Sequence, residues 1–466
     1  MELVQSVISG LPSVDKSVCL EDLEREREDR VIVVLDDDPT GTQTVHDIHI
    51  LTEWSQDQIE DAFSEHVFYI STNSRSLTSN AAYQLVYEVC NNVRVVAKKL
   101  NKSFLIITRG DSTLRGHFES ETKAASEAIG HSNAITVFVP AFFEGGRYTI
   151  DNIHYLEEDN MLIPVSKTPF AQDKSFGYSS SNLYEYVLEK SKRIRSKEDI
   201  ADLSITNIRQ NTIDELAEKI YLNRGKKVLI INATDRADLR KVSVGLFKAW
   251  NRGVQMIIRS GASMVSAIAG ISDKPLLQAK DLKIKDSAGL IVIGSHVPKS
   301  THQLEVLLKK HSISAFELDV FSLLQANDDK LVVDIAKKAD ETLNNGKDCV
   351  LYTSRKLMSE GDSNSNLTIV NKVSMGITQI LNSIRVQPSF MITKGGITSS
   401  DVATKCLGIK KALVLGQIHA GVPVWELGPE AKYPGMPLII FPGNVGTDES
   451  LSQVFQKLKS NISVKE

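Results

Sequence analysis

The sequence predicts an α/β protein of two domains, each a mostly parallel sheet flanked by helices, with the active site in the cleft between them. Three observations carry this reading. Short apolar runs alternate with longer helical stretches from residue 31 onward, which is the pattern of strands joined by helical crossovers. The alternation breaks at about 275–288, around Pro275 and the polar run from Lys280 to Ser287, and then resumes. At 466 residues, the chain is too long for one ordinary core.

The elements follow in order. Residues 1–30 form an N-terminal helical extension, because Glu21 to Arg30 alternates charge at helical spacing, as a solvated helix does. The first domain, 31–275, has strands predicted at 31–35, 47–52, 66–70, 103–108, 134–139, 228–232 and 254–259. Helices are predicted at 79–100 and 117–129, and residues 177–225 read as polar and mostly helical. The second domain, 288–460, has strands predicted at 289–294, 313–318, 348–353, 388–393, 411–416 and 436–441. A short Ser/Asn loop is expected around 359–366 and a fraying polar tail after 458.

Composition narrows the function classes. A net charge of −4 leaves no basic footprint for nucleic acid. Cys19, Cys90, Cys349 and Cys406 form no CxxC pair and have no histidine at zinc-site spacing, so they read as reduced thiols of a cytoplasmic protein. No apolar run approaches the ~18 residues of a membrane span, and the first residues lack the basic and apolar regions of a signal peptide. The partner is therefore a small molecule, with no nucleic acid and no membrane. A homo-oligomer is compatible with the composition.

In the first domain, polar clusters follow the strands. Asp36, Asp37 and Asp38 with the turn Pro39-Thr40-Gly41 end the first strand. Ser71 to Leu77 follows the strand at 66–70, Thr108 to His117 the strand at 103–108, and Pro140 to Tyr148 the strand at 134–139. In a parallel sheet these ends share one edge, where ligands bind. The edge collects carboxylates, hydroxyls and the guanidinium groups of Arg75, Arg109, Arg115 and Arg147. Such groups hydrogen-bond sugar hydroxyls and clamp a carboxylate at two points. The ligand they imply is small, hydroxylated and anionic. His46 and His49 flank a strand and His117 and His154 lie near these motifs, none with metal-site spacing.

In the second domain, glycine turns lead from strands into helices: Gly294-Ser295, Gly395-Gly396-Ile397-Thr398-Ser399, and Gly443-Asn444-Val445-Gly446. Backbone N–H groups at such turns approach phosphate oxygens. Neither a P-loop motif nor GxGxxG is present. The stretch Ile418 to Trp425 reads equally as a structural turn with a buried Trp or as a ligand contact.

Taken together and in order, these motifs resemble the four-carbon acid sugar kinases over roughly 31–455. The family's Asp-Asp-x-Thr-Gly is matched by Asp37 to Gly41, its Ser-Arg by Ser74-Arg75, and its Lys-x-Asp-Ser-x-Leu-Arg-Gly by Arg109 to Gly116. Its Pro-Ala-Phe, Gly-Arg and Thr-x-Phe are matched by Pro140-Ala141-Phe142, Gly146-Arg147 and Thr168-Pro169-Phe170. Its Gly-Ser, Gly-Gly-x-Thr-Ser and Gly-Asn-x-Gly turns are matched by the three glycine turns. The chain departs from the pattern at Arg109, where the family has Lys, at Ile397, where it has Glu, and in the additional Asp36. The resemblance implies a sugar-acid domain, an ATP domain and phosphorylation of acids such as threonate, erythronate or 3-oxo-tetronate.

On this reading the acid binds among Asp37, Asp38, Arg75, Asp111, Ser112, Arg115 and Arg147, with Arg115 the first candidate to grip its carboxylate. ATP rests on Ser295, Gly395, Gly396, Ile397, Thr398, Ser399, Gly443 and Gly446, with Mg²⁺ bridging its phosphates. Asp38 is the first candidate base, followed by Asp37 and Asp111, with Asp448 a rival from the nucleotide side. Two other readings stand beside it: a sugar-acid sensor without catalysis, which Ile397 favours, and a nicotinamide-dependent oxidoreductase, which the missing GxGxxG disfavours.

Overall fold

The structure, a computed structural model, describes residues 2–325, 330–355 and 363–460. Residues 359–362 of the expected Ser/Asn loop and the tail from 461 lie outside the described residues. Residues 363–366, expected in that loop, instead open the helix Ser363–Ser383. The chain divides into two compact units between Asp273 and Lys274.

The first unit is built on eight parallel strands. Their order across the sheet is Ile200–Leu203, Val228–Ile231, Ile135–Val139, Met256–Ser260, Phe104–Arg109, Val31–Asp36, Val67–Ser71 and Ile48–Leu51. Val31–Asp36 is buried at every position, as an apolar strand covered on both faces must be. It pairs with Val67–Ser71 on one side and Phe104–Arg109 on the other, so the chain reverses its winding here. A crevice at the carboxyl end of such a switch strand is where open α/β sheets hold ligands.

The helix Ser79–Leu100 shows why its residues fold as predicted. Thr78 caps its first turn by accepting from the Ala81 N–H at 3.4 Å, and Asn101 ends it in a left-handed conformation. Ala82, Val86, Val89, Val93, Val96 and Ala97 fall on one face and pack into the core beneath the sheet.

Two features of this unit were not expected. A four-stranded antiparallel sheet joins Glu2–Leu3, Met161–Pro164, Ile153–Glu158 and Arg147–Ile150. Its tight turns are Asp151-Asn152 and Asp159-Asn160, all four residues with φ between 49° and 64°, the backbone of two-residue hairpins. The stretch 177–225, expected to be mostly helical, also supplies the edge strand Ile200–Leu203 between its helices.

The second unit orders its strands Lys411–His419, Val422–Leu427, Pro437–Phe441, Met391–Lys394, Leu290–Ile293, Cys349–Thr353 and Ser314–Leu318. The first three run antiparallel and the rest parallel. Winding reverses at Leu290–Ile293, between Met391–Lys394 and Cys349–Thr353. Val422–Leu427 forms a hairpin with Lys411–His419, and Trp425 is fully buried in it. The Ile418 to Trp425 stretch forms the turn and inner strands of this hairpin. None of the described helices is long and apolar enough to cross a membrane.

Candidate functional site

At the carboxyl edge of the first sheet, the three adjacent aspartates occupy three environments. Asp36 is fully buried, and its carboxylate accepts from Arg109 Nη1 at 3.2 Å and from the Asp38 N–H at 3.2 Å. Burial first, and then Asp37 beside it, raise its pKa to about 7 against the pull of Arg109 and Arg75. A β-carbon on Gly41 would strike this carboxylate, so the turn after Asp38 requires glycine. Asp37 is also buried, yet among the described residues neither of its carboxylate oxygens has a hydrogen-bond partner, and its nearest cation, Arg259 Nη2, is 3.9 Å away. Asp38 is half-buried and fully engaged. It pairs with Arg75, and its Oδ1 accepts from the Thr40 N–H and Oγ1, each at 2.8 Å.

The loop after Phe104–Arg109 closes over this edge. Asp111 accepts from Arg115 Nε at 2.8 Å and from Thr113 Oγ1, and lies 3.7 Å from Arg75. Burial opposes its ionisation, but Arg115 and Arg75 outweigh it and hold the carboxyl well below the usual carboxylate range. Three successive carbonyls of the loop are pinned from outside. Ser112 O accepts from His154 Nε2 at 2.8 Å, Thr113 O from the Tyr178 hydroxyl at 2.7 Å, and Leu114 O from the Tyr186 hydroxyl at 2.7 Å. Since Nε2 must donate to a carbonyl, His154 Nδ1 accepts from Thr149 Oγ1 at 2.9 Å, and the buried imidazole is neutral. Leu114 holds φ at 68°, a strained conformation that these tethers stabilise.

Most arginines of this edge already have a carboxylate. Arg75 meets Asp38 and Asp111, Arg109 meets Asp36, Arg115 meets Asp111 and Asp173, and buried Arg259 meets Glu121. Arg147 differs. Its guanidinium lies 5.7 Å from the Phe142 ring and donates to Gly145 O, while its buried Nε has no partner among the described residues. Burial lowers its pKa, and Asp111 and Arg115 are the charges it feels.

In the second unit, three glycine turns converge at the switch strand. Gly395 has φ of 109°, and a β-carbon there would lie 3.0 Å from Ser295 Cβ. One on Gly443 would lie 3.0 Å from Ser295 Oγ. Ser300 Oγ donates at 3.0 Å to Gly443 O, and Gln303 Nε2 to Val445 O and Thr447 O at 3.1 and 2.6 Å, which fixes the third turn. Ser399 is buried and bonded within its own turn to Thr393. Thr398 Oγ1 lies against Gly294. Ile397 is 51% exposed, and Asp448 is exposed with His302 Nδ1 at 4.0 Å. Glycine turns at strand ends, accompanied by serine and threonine hydroxyls, fit a phosphate-bearing ligand.

Models of known families match both units: a sugar-binding N-terminal domain over residues 32–268 and a nucleotide-binding C-terminal domain over 290–451. The chain belongs to the four-carbon acid sugar kinase family. No curated protein matches it. Two solved structures share its fold. The Haemophilus influenzae protein HI1011, of the DUF1537 family, is 16% identical over 91% of this chain and all of its own, with a TM-score of 0.62. A Salmonella typhimurium LT2 protein named as a tRNA synthase is 14% identical over 93% of this chain and all of its own, with a TM-score of 0.67.

Within this sugar kinase family member, Asp36, Asp38, Arg75, Arg109, Asp111 and Arg115 form one contact network. Asp37 and Ser112 lie on the same loops, and Arg147 opens the strand Arg147–Ile150; none of the three joins these ion pairs. Arg259, Glu121 and Lys394 escaped the sequence reading. Glu121 accepts from Ser74 Oγ at 2.6 Å and pairs with Arg259, which packs against Gly110. Each of the two missed cations closes an apolar strand immediately before a glycine or a Ser-Gly pair, as Arg109 does. That pattern was the available signal. His46 and His117 make hydrogen bonds to backbone carbonyls, at Ser272 and Leu77, and His49 pairs with Glu65.

Proposed function

We propose that the protein is an ATP-dependent kinase that phosphorylates a hydroxyl of a small sugar acid, of the four-carbon class of threonate, erythronate or 3-oxo-tetronate. The observation that supports this best is Asp37, a buried carboxylate with two unpartnered oxygens, on the same sheet edge as the unpaired guanidinium of Arg147. An orphaned buried carboxylate calls for a donor. A sugar hydroxyl supplies one, and the acid's carboxylate supplies the anion that Arg147 lacks.

The roles follow from how each group is already engaged. Asp37 is the base that receives the acceptor proton, because Asp38 is occupied by Arg75 and Thr40, and Asp111 is too weakly basic. Arg147 reads the carboxylate, since Arg115 is tied to Asp111 and Asp173. The Ser295, Gly395 to Ser399 and Gly443 to Gly446 turns hold the nucleotide through backbone and hydroxyl donors. ATP, carried with Mg²⁺ on its phosphates, supplies the phosphoryl group.

The test is ATP turnover across threonate, erythronate, their 3-oxo forms, longer aldonates and a neutral polyol. Arg147→Lys should raise KM for the acid roughly 10- to 150-fold, the worth of a charge-assisted bond lost from a two-point grip. It should leave ATP affinity unchanged. A second reading, a sensor that binds both ligands without transfer, is favoured by Ile397, an exposed apolar residue where the family pattern carries Glu. Saturable binding of acid and ATP with no product would support it.

A further inference from the structure

Lys394 closes the strand Met391–Lys394, and its side chain is completely buried. Its ammonium donates one hydrogen bond, to Pro442 O at 3.0 Å, and lies 4.0 Å from the centre of the Phe441 ring. Both belong to the end of the neighbouring strand Pro437–Phe441 and the residue after it. From the helix Pro298–Lys310 the amine feels Lys299, a second cation, and among the described residues no carboxylate acts on it. An ammonium has three N–H donors, so two remain unspent. Burying such a group without a counter-ion is costly, and an apolar side chain of similar volume would fill the space more cheaply.

The position of Lys394 supplies a reason to keep it. Its own carbonyl accepts from the Ser295 N–H at 3.4 Å, the next residue, Gly395, donates its N–H to Phe441 O at 2.9 Å, and its amine holds Pro442, the neighbour of Gly443. One residue therefore touches all three glycine turns. We propose that Lys394 is a positioning residue of the nucleotide site, whose ammonium ties the Gly443 turn to the Gly395 turn and supplies the buried positive charge that nucleotide phosphates require. The proposal rests on the nucleotide-binding reading of these turns.

Burial first, then Lys299, lower the Lys394 amine to about 7. At pH 8 the amine is therefore mostly neutral in the free protein. A bound polyphosphate favours the charged form and raises this pKa, so binding at pH 8 takes up part of a proton. Terminal phosphates, with a second pKa near 6, are already ionised at this pH and do not mask the uptake.

The experiment is calorimetric titration of the full chain with Mg-ADP at pH 8, in two buffers of different ionisation enthalpy. Wild type should take up a proton fraction. Lys394→Met should abolish that uptake and weaken Kd by roughly 10- to 100-fold. Lys394→Gln, which keeps an N–H donor for Pro442 but no charge, should bind as weakly as Lys394→Met. Should the Met variant fail to fold, the Gln variant and the wild-type proton count decide. Proton-neutral binding by wild type, or wild-type affinity in Lys394→Gln, overturns the Lys394 assignment alone. A wild type that binds no nucleotide overturns the nucleotide reading, and this proposal with it.

Discussion

At the edge of the sugar-binding sheet, Arg75, Arg109, Arg115, Arg147 and Arg259 stand among Asp36, Asp37, Asp38, Asp111 and Glu121. At the corresponding edge of the nucleotide-binding sheet the lining is glycine, serine and threonine, with Lys394 buried beneath and Arg355 donating to Ser295 O at 2.8 Å. In the proposed kinase, the first site recognises its ligand with side chains and the second with backbone. Side-chain recognition suits a ligand whose hydroxyl geometry must be told from its isomers. Backbone recognition suits a phosphate chain common to every turnover. The two sites should therefore fail differently. Charge changes should damage the first, and any added β-carbon should damage the second.

Asp37→Asn separates them most widely. The substitution keeps shape and removes basicity, so kcat should fall about 10²- to 10⁴-fold with ATP affinity unchanged. Steady-state kinetics beside nucleotide titration measures this. If Asp38→Asn shows that loss and Asp37→Asn does not, the base is Asp38. Gly395→Val should abolish nucleotide binding while acid binding survives, because it combines a left-handed φ with a clash at Ser295. Equal loss of both ligands would mean that the turn only supports the fold.

Arg115→Lys sharpens the contrast within the sugar site. Arg115 braces Asp111, Asp173 and the Phe170 ring. The variant should therefore weaken an acid and its neutral polyol analogue alike, whereas Arg147→Lys should penalise the acid alone. A selective loss for the acid in Arg115→Lys would return the carboxylate grip to Arg115.

The smallest effect concerns stability. Burial depresses the His154 pKa to about 4. The unfolded chain then binds a proton that the folded chain refuses between pH 6.5 and 4. Stability is complete above 6.5 and is lost as pH falls through that window, by about 3 kcal/mol. His154→Gln should remove that slope, as read from urea unfolding at several pH values. An unchanged slope would assign the acid sensitivity elsewhere.

The parallel strands were legible because each is an unbroken apolar run bounded by polar turns. The elements that were missed lack that mark. Arg147 to Pro164 forms hairpins through Asp151-Asn152 and Asp159-Asn160, a turn signal that short, half-polar strands did not reinforce. Ile200–Leu203 carries Asp202 inside it, and Val422–Leu427 carries Pro423, which ordinarily argues against a strand. In the sites, motifs following strands were readable because a parallel sheet brings its carboxyl ends together. Which carboxylate is orphaned and which arginine unpaired was not readable. Asp36, Asp37 and Asp38 are chemically identical in sequence, and only their packing separates them. Buried Lys394 and Arg259 looked like ordinary polar residues at strand ends.

Phosphoryl transfer from ATP to the acid is read most directly by incubating wild-type protein with Mg-ATP and each four-carbon acid and following the acid by ³¹P NMR. A new phosphate monoester should form on one or more of the acids, dependent on Asp37, with none on the neutral polyol. Tight binding of both ATP and acid with no ester formed, or phosphorylation of the polyol as readily as of the acid, would contradict this reading.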